Sequence, residues 1–166
     1  MERAITRANR VAVLSFNLLG RQAETKNVDW PWVERTLLDL EKAGPSAEAK
    51  LFRARFDELN SKSTPTVTIE AYRAVASQTP ADAVFTWTGV KYAARIDSYF
   101  DPFGNLTIRQ RAAVELARIL RKTGAVAEAS RILDQLKGEL GPRKARQLDA
   151  YASDYILILG EPAHKR

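Results

Sequence analysis

Apolar residues recur at three-to-four spacing along most of the chain, and sustained period-two alternation is absent. The pattern predicts an all-α protein of antiparallel helical hairpins, forming a helical bundle or a short α-solenoid. Ile5, Ala8, Ala12, Phe16 and Leu19 share one face of a first helix over 3–24. Asp29-Trp30-Pro31 opens a second, because Asp29 can accept from orphan amides and proline is tolerated in a first turn. That helix runs to about Ala43, Gly44-Pro45 closes it, and Ser46 caps a third over 47–60. Segment 61–68, with Pro65 and the β-branched string Thr66-Val67-Thr68-Ile69, reads as a loop, with a short extended piece as the alternative.

Helices over 69–77 and 81–100 are expected next, the longer one opened by Thr79-Pro80 and weakened by Gly89. The stretch 85–90 carries enough aromatic and β-branched character for a strand to be its alternative. After a loop at 101–105, a helix starts near Thr107 and places Ile108, Ala112, Leu116, Ile119 and Leu120 on one face. Gly124 ends it. From Ala125 to Leu140, Ala125, Ala129, Ile132, Leu133, Leu136 and Leu140 form an apolar stripe about 100 degrees wide that needs a partner helix. Gly141-Pro142 closes this hairpin, a last helix covers 143–159, and residues 161–166 form a flexible basic tail to a single domain spanning 1–160.

Between Gln110 and Arg143 the spacing resembles a tetratricopeptide repeat. Leu116 and Ala117 stand at the first-helix Leu-Gly pair, Gly124 at the turn, Ala129 at the small second-helix position, and Leu133 and Leu136 at packing positions. Ala113 replaces the family's tryptophan, and Pro142 lies one residue beyond the expected proline. A partial echo occurs earlier, where Leu40, Gly44, Glu48 and Ala49 match Leu120, Gly124, Glu128 and Ala129. The resemblance implies stacked hairpins with a concave surface for a peptide or helix. Any antiparallel hairpin with a glycine turn would share the pattern. Residues 106–111 are also similar to the opening of a bacterial helix-turn-helix, but no polar recognition helix follows.

Composition narrows the chemistry. The 166 residues include no cysteine and one histidine, His164, which excludes disulfides, thiolate metal sites and a cysteine nucleophile, and removes the commonest general base. No P-loop, dinucleotide glycine fingerprint or nucleophile elbow occurs, so neither a cofactor nor an enzymatic activity is expected. Arg3, Arg7 and Arg10 precede the apolar run 11–20, yet its Ser15, Asn17 and helical spacing favour a core helix over a signal peptide. No run approaches the roughly 18 apolar residues of a membrane span, so a cytoplasmic protein with no membrane partner is the expectation.

The net charge of +6 is localised. Residues 1–103 hold 14 basic and 13 acidic side chains, whereas 104–146 hold 10 and 4. On an ideal helix Arg111, Arg118 and Lys122 fall within about 40 degrees, with Arg121 beside them, opposite the apolar face. Arg143, Lys144 and Arg146 would extend this stripe if the hairpins stack. Phe100 and Phe103, flanking Asp101-Pro102, make a candidate partner-binding lip. The expected function is a non-enzymatic protein-interaction module, adaptor or chaperone-like, for a protein or peptide that an acidic composition would favour. The alternative is nucleic-acid binding through 104–146.

Overall fold

The computed structural model describes residues 2–20, 23, 25–86, 106–146 and 148, with side chains from residue 6 onward. All regular structure among them is helical, with no strand. Helix α1 (Glu2–Leu14) passes directly into a π-helical turn (Ser15–Leu19). Then follow α2 (Trp30–Lys42), α3 (Ala47–Leu59), α4 (Pro65–Gln78), α5 (Ile108–Lys122) and α6 (Val126–Glu139). Residues 142–146 are helical again.

Local chemistry starts most of these helices. Asp29 accepts from the Trp32 amide at 3.1 Å, Ser46 from Ala49 at 3.1 Å and Thr64 from Val67 at 3.3 Å. Thr107 and Gln110 form a reciprocal capping box, at 3.2 and 3.1 Å. Gly44 and Gly124 follow the first helix of their hairpins with φ of +123° and +93°, a conformation that disfavours L side chains.

Three expectations are corrected. The first helix is not one α-helix over 3–24: the Gly20 amide reaches back to the Ser15 carbonyl at 2.9 Å, five residues away, and Gly20 itself is extended. Segment 65–68 is the start of α4 rather than a loop, since the Thr64 cap and Pro65 together nucleate it. Thr79 caps the end of α4 instead of opening a helix, and residues 81–86 are non-helical. Long-range contacts hold that stretch: Phe85 is buried with its ring 5.9 Å from that of Phe52, and the Ala83 carbonyl accepts from the Ile108 amide at 3.1 Å. The remainder of the expected 81–100 helix and of the strand alternative, the 101–105 loop, the far part of the last helix and the basic tail lie outside the described residues.

The core gathers Val11, Leu14 and Leu18 from the first segment, Val33, Leu37 and Leu40 from α2, Leu51, Phe52 and Phe56 from α3, Tyr72 from α4 and Leu116 and Leu120 from α5. Helix α4 packs along α5, and α5 in turn along α6. A hydrogen bond from Gln110 at the start of α5 to Glu139 at the end of α6, 3.5 Å, shows that the two run antiparallel. Leu106, Val114, Leu136 and Leu148 form a second small cluster at that end.

Candidate interaction surface

Helix α5 has no outward basic stripe of the kind the sequence suggested. It is enclosed by α3, α4, α6 and the π-helical turn, so Arg111 and Arg118 are buried. Only Arg109, Arg121 and Lys122 among its cations reach solvent. Arg121 and Lys122 end α5, whereas Arg143, Lys144 and Arg146 follow the far end of the antiparallel α6. The hairpin therefore separates the two groups by about the length of a helix, roughly 20 Å at 1.5 Å per residue. Phe100, Phe103 and His164 lie outside the described residues.

The buried arginines belong to a charge cluster joining four elements. Arg55 of α3 donates to the Leu18 carbonyl at 2.9 Å, and Arg111 donates to the Leu19 carbonyl at 2.7 Å. These are the last carbonyls of the π-helical turn, where a cation is favoured. Glu58 accepts on one oxygen from Arg55 at 3.2 Å, from the Tyr72 hydroxyl at 2.5 Å and from Arg118. Glu115 accepts from Arg118 at 2.8 Å and sits 3.3 Å from Arg111. Burial alone would raise the Glu58 carboxyl, but Arg118 and Arg55 outweigh it and hold the group at about 2. Burial likewise opposes ionisation of Glu115, yet Arg118, Arg55 and Arg111 keep it below the usual carboxylate range. For Tyr72, burial and the Glu58 charge drive the phenol well above its ordinary value. Such an arrangement locks the π-helical turn to α3 and α5.

A second buried carboxylate, Glu48, stands in the first turn of α3. It accepts from Arg7 of α1 at 2.7 and 3.1 Å, and from the amide and hydroxyl of Thr86 at 3.0 and 2.6 Å. Among the described residues, no group of three or more His, Cys, Asp or Glu side chains is placed to hold a metal ion. No described helix is long and apolar enough to cross a membrane.

Two concave surfaces flank α4. The larger, about 750 Å³, runs between α3, α4 and the Gly44-Pro45 turn, over Ala47, Ala54, Ala71, Ala74, Val67 and Val75. Its rim carries Arg53, which binds Glu41 at 2.7 and 2.8 Å and lies 3.6 Å from Asp57, leaving Lys50 as its unpaired cation among the described residues. The hydrogen bond to Glu41 holds Arg53 more firmly protonated than a free arginine. The smaller surface, about 320 Å³, lies between α4, α5 and α6. Neither surface was named by the sequence reasoning, although the alanines of α3 and α4 were visible in it.

No protein-family model, curated protein or solved structure matches the chain.

Proposed function

We propose that this protein is a non-enzymatic interaction module, an adaptor-like helical array working in the cytoplasm, that receives a helix of a partner protein in the groove between α3 and α4. The observation that carries this reading is the groove itself: about 750 Å³, open to solvent, with alanines where longer side chains would fill it. Small residues let a partner backbone approach closely, and helix-in-groove docking uses an apolar channel of this kind. Val67, on its edge, is 53% exposed despite being aliphatic. The resemblance of 110–143 to a tetratricopeptide repeat points the same way. Support for a non-enzymatic role comes from the buried carboxylates Glu58 and Glu115, which are engaged by guanidinium groups and line neither concave surface.

The test is photo-crosslinking in the native host from a reactive residue at position 71 or 74, compared with one at Trp32 on α2. A discrete adduct from the groove positions, abolished by Ala74→Arg with helicity unchanged, is expected. Adducts arising only from the Trp32 face, or none from the groove, would overturn the reading.

A further inference from the structure

We infer that the smaller cleft between α4, α5 and α6 is a docking site for an acidic segment of a partner protein, whose carboxylates meet Arg109 and Arg131 above an apolar floor. The inference rests on the interaction-module reading and adds the chemistry of a partner to it.

The floor is formed by Ala76, Ala113, Leu116 and Ile132, of which Ala76, Ala113 and Ile132 are only half-buried. Above it, the cleft's own carboxylates are already engaged. Glu128 of α6 takes a hydrogen bond from Arg73 of α4 at 2.6 Å, and this bond holds its carboxyl below the usual range. Glu139 takes one from Gln110. Arg109 and Arg131 also line the cleft and are exposed; Arg109 forms no ion pair among the described residues, while Arg131 helps to hold Glu128 charged without a direct salt bridge to it. The surroundings add to this excess: even with Arg111, Arg118 and Glu115 buried, the 104–146 segment presents eight cations against three carboxylates. Arg143, Lys144 and Arg146 lie at the same end of the hairpin as Arg109.

An apolar hollow beside an unpaired Arg109, and an exposed Arg131 that no salt bridge holds among the described residues, suits a chain segment that offers both carboxylates and an aliphatic side chain. At about 320 Å³ it is at the small end of ligand pockets, enough for side chains of a docked segment. A nucleic acid would leave the hollow unfilled, and among the described residues no aromatic ring lines it to stack a base. Arginine also matches carboxylates bidentately, which fixes register as well as supplying attraction.

The experiment uses the full chain, isotope-labelled for amide NMR, and three probes: a synthetic helical peptide of Leu, Ala and Glu, the same peptide with Gln for Glu, and a short DNA duplex. The Glu peptide is expected to shift the amides of Ala76, Ala113 and Ile132 saturably. The double variant R109E/R131E should weaken it about tenfold or more, while R121E/K122E, reversing as much charge outside the cleft, should change it less than about twofold. Equal binding of the Gln peptide, equal loss from R121E/K122E, tighter DNA binding at the same amides, or no saturable shift would each overturn the inference. Crosslinking from positions 71 and 74 probes the other groove, so the interaction-module reading stands or falls separately.

Discussion

The hairpins α2–α3 and α5–α6 share a turn and differ in what surrounds it. Leu40 and Leu120 are buried alike, Gly44 and Gly124 both take positive φ, and Ala49 and Ala129 pack alike one turn into the second helix. Yet Glu48 is 3% exposed and accepts four hydrogen bonds, while Glu128, at the matching position, accepts one among the described residues, from a half-exposed Arg73. The reason lies in which helix of each pair is central. In the first hairpin the second helix, α3, is packed by its neighbours; in the other it is the first helix, α5, and α6 buries only Ala129 and Leu136. Similar spacing thus accompanies a similar turn, and how each helix is packed by its neighbours decides whether a charge is structural or solvated.

The largest effects should come from the central helices. Arg118→Ala would leave Glu58 and Glu115 without their shared cation and should cost about 3–5 kcal/mol, whereas Lys122→Ala, one turn on and exposed, should stay within about 0.5 kcal/mol in urea unfolding. Equal costs would erase the distinction between the two ends of α5.

Acid titration probes the same cluster. Because the Glu58 carboxyl is depressed to about 2 in the folded protein, its contribution is complete above the ordinary glutamate pKa and is lost as pH falls through about 2. Circular dichroism should show stability declining across that window, and Glu58→Gln should flatten part of the decline. An unchanged acid profile in the variant would contradict the assignment.

The paired carboxylates give the most direct comparison. Glu48→Ala should destabilise by about 2–3 kcal/mol, since it strands Arg7 and the Thr86 amide, while Glu128→Gln should cost less than about 1 kcal/mol. A reversed order would mean that the α5–α6 hairpin, and not α2–α3, holds the structural carboxylate.

What could be read from the sequence is what is decided locally. The helix starts at Asp29, at Ser46 and near Thr107 and the turns at Gly44 and Gly124 are set within three or four residues, and the structure has them where the spacing places them. The polar stretch 61–68 with Pro65 reads as a loop, and its β-branched string as a short extended piece at most, because the Thr64 cap that makes Pro65 a first-turn residue is not evident from composition alone. The burial of Arg111 and Arg118 depends on partners 92 and 60 residues away, beyond the reach of any helical wheel. One signal was nonetheless present: Glu115 stands between them at i+4 and i+3 spacing, and Ala112, Val114, Ala117 and Ile119 leave α5 little room for a polar face. Of the expected site residues, Arg121, Lys122, Arg143, Lys144 and Arg146 remain accessible to a partner, and Arg109 and Arg131 join them.

The two turn glycines make handedness an engineering variable. A Cβ built on Gly44 or Gly124 meets no atom within 4 Å, so only backbone chirality, and not crowding, stands against a side chain there. A mirror-image alanine, introduced by chemical ligation at position 124, prefers the positive φ that the turn already holds. It should therefore raise stability by about 0.4–1 kcal/mol through the unfolded chain alone, while ordinary L-alanine at the same place lowers it.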